Sequence, residues 1–297
     1  MDEWTRWTIR ETLLSLPKHF RRKDSYLRLI NEPLLSIKWL LSPLIYVIAK
    51  PKQRGRTELY AAALDRLVEL SQSELQTTLV SAWPADKDLQ VLRDEHSIAI
   101  LEELFRKHGS NKVSVGYAPI YQIILAHITS TEHQAPIAEI GIGSQNPAIP
   151  SNMTVFGKPG ASLRAFRDYC PQTEVIGGDI DIEALINEER ITSLHVDQLQ
   201  HESVLNFFSR FSQYSLLIDD GLHEIDANLN TLAVALRFAT PGSWIVIEDI
   251  AIDESIINIW LCVAKLISNT HRVWLVRCPQ TFVFIANCRV GHTPSAT

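Results

Sequence analysis

From residue 137 onward, short apolar runs alternate with segments of helical spacing. Residues 137–140, 174–180, 191–196, 214–220 and 243–249 each suit a strand buried on both faces. Between and after them, residues 162–170, 182–189, 204–211, 225–239 and 254–268 carry apolar positions at helical intervals. Residues 271–277 and 281–288 close the chain as a hairpin. Strands alternating with helices predict an α/β fold, a parallel sheet with helices on both faces. In such sheets ligands bind beyond the carboxyl ends of the strands.

The pattern ahead of residue 110 is different. Only Gly55 and Gly109 occur there, and the remaining ten glycines lie beyond them. Leu59, Ala62, Ala63, Leu67 and Leu70 recur at helical spacing, as do Leu89, Leu92, Ile98, Leu101, Leu104 and Phe105 until Gly109 stops the second run. Residues 1–109 are therefore expected to be a helical N-terminal region, a lid or an oligomerisation unit, and residues 110–297 the α/β domain. Residues 33–49 are the most apolar stretch, but Lys38 and Pro43 interrupt a length at the short limit of a membrane span. Two short packed helices or a subunit interface are the expectation. A membrane-surface helix over residues 18–50 is the lesser reading. Residues 50–56 read as a linker.

Charge adds an asymmetry. The chain carries a net −6, which argues against a general nucleic-acid binder, yet residues 1–56 hold 12 Lys/Arg against 5 Asp/Glu. A solvated helical face accounts for that excess. The four cysteines, Cys170, Cys262, Cys278 and Cys288, have no metal-finger spacing and no recognisable signal peptide ahead of them. Reduced thiols in a cytoplasmic protein are expected.

Candidate chemistry collects at the strand ends. The first strand runs into Glu139-Ile-Gly141-Ile-Gly143, where two glycines allow a sharp turn and close approach of a ligand to the backbone. The second strand ends at Asp179, whose carboxylate is placed to accept from both ribose hydroxyls of an adenosine. The third ends at Asp197-Gln198, where a side-chain acceptor would meet the adenine amino group. A G-x-G-x-x-G is absent, because Asn146 stands at the sixth position, and a nicotinamide enzyme is disfavoured. The fourth ends at Asp219-Asp220-Gly221-Leu222-His223 and the fifth at Glu248-Asp249. Crowded carboxylates repel unless a proton or cation is shared, and hard oxygen ligands select Mg²⁺ or a similar ion. His223 lies beside them where a helix starts, as a base for an acceptor hydroxyl.

At these residues the chain resembles the class I S-adenosylmethionine-dependent methyltransferases, and more narrowly the metal-dependent O-methyltransferases of macrolide sugars. The stretches that carry the resemblance are residues 110–121 (Ser-Asn-Lys-Val-Ser-Val-Gly-Tyr-Ala-Pro-Ile-Tyr), residues 160–166, Glu139–Gly143, residues 218–223 and residues 247–249. It covers about residues 110–290. The resemblance implies a Rossmann-like seven-stranded methyltransferase sheet, with S-adenosyl-L-methionine and Mg²⁺ as cofactors. Carried over, Glu139, Gly141, Gly143, Ser162, Asp179, Asp197, Gln198 and Asp219 fall to the cofactor. Asp220 and Asp249 fall to the metal and His223 is the base, with Glu248 or Asp219 expected to help hold the ion. Two departures bear on the substrate: Ser110-Asn111 replaces a threonine-aspartate, and Leu222 replaces a serine. The expected activity is methylation of a hydroxyl on a small molecule or natural product, a sugar among the candidates, by an enzyme expected to be a homo-oligomer. Two other readings stand beside it, a metal-independent methyltransferase of carboxylate or peptide groups and a non-catalytic cofactor-binding scaffold.

Overall fold

The structure is a computed structural model that describes residues 79–80, 83–84, 86–131, 135–153 and 157–289. The expectations for residues 1–78, including the basic and apolar N-terminal stretches, lie outside the described residues.

In chain order the strands are β1 (Leu79–Val80), β2 (Ile137–Ile140), β3 (Val175–Asp179), β4 (Asn187–Glu188), β5 (Ile191–His195), β6 (Leu216–Asp219), β7 (Trp244–Ile250), β8 (His271–Arg277) and β9 (Phe282–Cys288). The helices are α1 (Lys87–Gln90), α2 (Glu95–His108), α3 (Ala118–Ser130), α4 (Ala161–Tyr169), α5 (His201–Phe208), α6 (Ile225–Phe238) and α7 (Glu254–Ile267). Among the described residues they form one nine-stranded sheet in the order β1-β8-β9-β7-β6-β2-β3-β5-β4. The seven expected strands are its body, and the two-residue strands β1 and β4 extend its edges. The five strands from β5 to β7 pair in parallel, while β9 runs antiparallel to both its neighbours. Strand order reverses at β2, so the crevice for a ligand lies beyond the carboxyl ends of β2, β3 and β6.

Period-2 alternation divides the core in two. Ile137, Val175, Ile218 and Val246 meet Phe105, Tyr121 and Phe166 on the face covered by α2, α3 and α4. Ala138, Leu217, Ile245 and Ile247 meet Phe208, Leu232 and Trp260 on the face covered by α5, α6 and α7.

Several elements differ from the sequence reading. The continuous helix expected across residues 89–105 is broken, because Asp94 is extended and caps α2 by accepting from Ser97 N at 2.9 Å. Gly109, at φ +88°, ends α2 in the left-handed conformation as expected. Residues 182–189 are not a helix. One 3-10 turn at Ile182–Ala184 gives way to β4, which pairs antiparallel with β5 through a turn at Arg190 with φ +58°. Ser193 Oγ holds that departure by bonding both the N–H and the C=O of Ile186. Helix α3 had no periodic signal, since it is apolar around most of its circumference and buried there. β1 is a strand within the region expected to be helical. The cysteines are unbonded, and Cys278 and Cys288 sit at opposite ends of the β8–β9 hairpin.

Candidate active site

The strand ends sort the acids by parity. Glu139 aligns with Ile218, and Asp219 aligns with Ile140 and Ile247, so Glu139, Asp220 and Glu248 face α3 while Asp219 faces α6. Strict alternation would send Asp249 to the α6 side as well. The register slips between Ile247 and Ile250, and Asp249 adopts φ +53°. This irregularity re-aims its carboxylate to the α3 face, where Tyr117 Oη donates to it. Tyr117 Oη also lies 2.7 Å from Thr281 Oγ1.

Lys112 occupies the middle of the α3 face. Its ammonium is 1% exposed and lies 3.1 Å from Glu139 Oε1, 2.9 Å from Asp220 Oδ2 and 2.6 Å from Glu248 Oε2. Burial alone would lower the lysine pKa, but the charges of Asp220, Glu248 and Glu139 outweigh it and hold it well above its ordinary value. Burial raises the carboxyl of Glu248 well above its usual range, reinforced by Asp220 and opposed by Lys112. Burial likewise raises Glu139. Glu248 also accepts from Tyr121 Oη. Glu139 Oε2 accepts from Ser162 Oγ at 2.5 Å, which binds two of the expected cofactor residues to each other.

Two cavities meet at Gly141 and Asp220. The first, about 250 Å³, is lined by Gly141, Gly143, Asp179, Asp197, Gln198 and Leu222 among others. Ile180 and Leu199, 44% and 59% exposed, stand at its rim as apolar faces for a flat ring. The second, about 330 Å³, is lined by Ser110, Lys112, Ile142, Met153 and Ser162 on the other side of Gly141. Gly141 is at φ +89°, and a Cβ there would lie 2.1 Å from the carbonyl oxygen of Asp220. Only glycine permits this approach of two backbones.

Asp179 shapes the glycine turn. Its Oδ2 accepts from the N–H groups of Ile142 and Gly143 at 3.0 and 3.1 Å, and its Oδ1 accepts from Asp181 N at 2.9 Å. Burial raises its pKa against those bonds. Asp197 lines the same cavity and accepts from Leu199 N at 3.0 Å. Gln198 and Asp219 face inward. Gln198 Nε2 donates to Asp219 Oδ1 and Thr231 Oγ1 at 2.8 and 2.9 Å, and its Oε1 accepts from Leu222 N at 2.8 Å. Asp219 is fully buried and also accepts from Asn228 Nδ2 at 3.1 Å. This pair clamps the turn that presents His223.

His223 sits at φ +59° with its Nε2 3.9 Å from Asp220 Oδ1. Its Nδ1 is buried and makes no hydrogen bond among the described residues. One atom each from Asp220, His223 and Asp249 lie within 4.8 Å of one another, close enough to surround one ion. Two carboxylates suit a hard divalent cation, with water completing the shell. Lys112 and Tyr117 each hold one of those acids from behind, as supporting groups do for metal ligands.

No protein-family model matches the chain. It is 32% identical over 118 residues to the mycinamicin VI 2''-O-methyltransferase of Micromonospora griseorubida, a match covering 39% of this chain and 27% of that protein. It is 27% identical over 154 residues to a tetracenomycin rhamnosyl 3'-O-methyltransferase of Streptomyces olivaceus, covering 50% of this chain and 36% of that one. The chain thus spans about a third of the length of these relatives. Among solved structures, MycE methyltransferase of the mycinamycin pathway, in complex with Mg, SAH and mycinamycin VI, superposes with a TM-score of 0.52 at 22% identity. That superposition covers 66% of this chain and 57% of MycE. The fold is that of the class I S-adenosylmethionine-dependent methyltransferases.

The sequence reading missed Lys112, Tyr117, Tyr121 and Thr281, which stand around the strand ends, as site groups. A signal existed. Lys112, Tyr117 and Tyr121 place polar atoms within and beside an otherwise apolar helix, and buried polar atoms require partners. Among the described residues of this methyltransferase fold, no helix is long and apolar enough to cross a membrane.

Proposed function

We propose that the chain is an S-adenosylmethionine-dependent O-methyltransferase acting on a hydroxyl group of a small molecule, with a sugar-bearing natural product as the favoured acceptor class. The observation that carries this reading is the meeting of two cavities at Gly141 and Asp220, beside the Asp220–His223–Asp249 cluster. The first cavity fits the adenosine, with Ile180 and Leu199 against its base and Asp179 beside its ribose. The second cavity takes the amino-acid portion. The relatives named above are O-methyltransferases of a macrolide and a rhamnosyl group, which supports an oxygen acceptor.

Asp220 and Asp249 would hold one Mg²⁺, which when bound supplies positive charge that lowers the pKa of an acceptor hydroxyl. His223, at the mouth of the cluster, takes the hydroxyl proton on an imidazole nitrogen. The acceptor oxygen then forms its bond to the methyl carbon as the carbon–sulfur bond breaks, and the sulfur keeps the bonding pair. Gly141 lets the backbone of the cofactor turn approach that of Asp220, which brings donor and acceptor together. Such positioning is a large part of catalysis between two bound reactants.

The test is His223→Ala. Turnover of a glycosylated acceptor should fall by roughly 100- to 10,000-fold, the range for loss of a general base. Binding of S-adenosylhomocysteine, followed by calorimetry, should be unchanged. Full turnover in the variant would remove the proposed base.

A further inference from the structure

The chain that follows the glycine turn supplies wall to both cavities. Ile149, Pro150 and Ser151 line the first, and Met153 lines the second. Met153 N donates to Ser144 O at 2.8 Å, which fixes its backbone beside the turn. Its thioether lies between two glycines. A Cβ at Gly143 would stand 2.7 Å from Met153 Sδ and closer still to its terminal methyl carbon, and a Cβ at Gly157 would collide with the same sulfur. Gln145 Nε2 holds Gly157 there by donating to its carbonyl at 2.6 Å. The backbone on both sides is thus kept clear for one side chain. Apart from Met1, it is the only methionine of the chain. Met153 is half-buried, and as a lining residue it borders the second cavity instead of filling the core.

The lining of that cavity is of two kinds. Asn111, Ser162 and Asp220 bring polar groups, while Ile142, Met153 and Ala161 bring the apolar side chains. An α-amino acid with an aliphatic chain has the same two parts, a charged end and a run of methylenes. Of the three apolar residues only Met153 is long and unbranched, and a thioether adapts its shape to what it covers. Gly143, which Met153 touches, also lines the first cavity, so the thioether stands where the two cavities adjoin. We propose that Met153 is a specificity-determining residue of the cofactor site: its thioether covers the methylenes of the amino-acid portion and makes the protein prefer the complete cofactor to a bare nucleoside. This rests on the reading of the second cavity as the seat of that portion. The preference has a physical source. The nucleoside draws on the first cavity alone, whereas the methylenes are removed from water only under Met153 and Ile142.

The experiment compares S-adenosylhomocysteine with 5′-methylthioadenosine, which ends at the sulfur's methyl group and lacks the amino-acid portion. Calorimetry on the full chain measures both ligands against wild type, Met153→Ala and Met153→Leu. Met153→Ala should lose about tenfold in affinity for S-adenosylhomocysteine, the scale of uncovering two methylenes, and stay within about twofold of wild type for 5′-methylthioadenosine. Met153→Leu, of similar volume, should keep most of the affinity for S-adenosylhomocysteine. Unchanged affinity for S-adenosylhomocysteine in Met153→Ala would overturn the proposal. So would an equal loss for both ligands, which is what mere support of the glycine turn predicts. A second measurement needs no variant. Hydrogen peroxide converts the Met153 thioether to its sulfoxide, followed by peptide mass spectrometry. Saturating S-adenosylhomocysteine should slow that conversion in wild type at least about fivefold, and saturating 5′-methylthioadenosine should leave it within about twofold. Equal rates with and without S-adenosylhomocysteine would overturn the proposal even if Met153→Ala fails to fold. Wild type that binds neither ligand would sink the cofactor reading together with the proposal, whereas wild type that binds both equally well would sink the proposal alone.

Discussion

Replacing Gly141 by alanine tests the convergence of the two backbones that joins the cavities. The new Cβ would lie 2.1 Å from the Asp220 carbonyl oxygen, 2.4 Å from its carbon and 2.4 Å from Gly221 Cα. Ordinary contact begins at 3.4 Å, so the Asp220 backbone must retreat by about 1.3 Å. It has little freedom to do so. Asp220 N donates to Ile140 O at 2.8 Å, Gly141 N donates to Gly178 O at 2.7 Å, and Asp220 Oδ2 is held by Lys112 at 2.9 Å. Left-handed φ costs an L-residue roughly 1–2 kcal/mol, and overpacking costs a further 1–3 kcal/mol. A total of about 2–5 kcal/mol should lower Tm by roughly 4–20 °C in a domain of this size. Gly143 is the control, because a Cβ there meets the flexible end of Met153 instead of backbone. Differential scanning calorimetry should therefore rank Gly141→Ala well below Gly143→Ala, and only the former should also lose Mn²⁺ affinity. Equal melting of the two variants, or a Gly141→Ala protein with wild-type Tm and wild-type Mn²⁺ binding, would refute the reasoning.

Asp179→Asn weakens three backbone hydrogen bonds that shape the glycine turn, so affinity for S-adenosylhomocysteine should drop at least about tenfold, since bonds to a charged acceptor are worth about 1.5–3 kcal/mol. Gln198→Ala leaves Leu222 N unpaired and takes one donor from Asp219, and turnover should fall while the cofactor still binds, measured by kinetics and calorimetry on one sample. Burial pushes the Cys170 and Cys278 thiols up to about 12. The reactive thiolate form is therefore scarce at pH 8, and native protein should resist iodoacetamide at both positions by roughly a thousandfold relative to urea-unfolded chain, read by peptide mass spectrometry.

The sheet was readable because its strands are short apolar runs bounded by glycine, proline and acids, and tertiary context left those runs as strands. The acids at the strand ends were readable as a group, because topology alone brings strand ends to one edge. Their division was not. Whether Asp219 or Asp220 reaches the site depends on parity, and Asp249 reaches it through a register slip between Ile247 and Ile250 that leaves no local sequence mark. The pairing of Glu248 with Lys112, more than a hundred residues earlier in the chain, likewise has no local sequence mark. The helix at Ala118–Ser130 escaped because a helix buried on most sides has no amphipathic period to detect. Residues 182–189 misled for the opposite reason: their apolar spacing suits a helix, while Ser193 and the left-handed Arg190 hold them in an antiparallel edge.

A crystal grown with S-adenosylhomocysteine and Mn²⁺, with data collected at the manganese absorption edge, addresses the account most directly. One anomalous peak should sit between the carboxylates of Asp220 and Asp249, in bonding contact with an oxygen of each. The adenosine should lie in the cavity between Ile180 and Leu199. An ion bound away from those two acids, or a cofactor bound away from Gly141, would contradict the account.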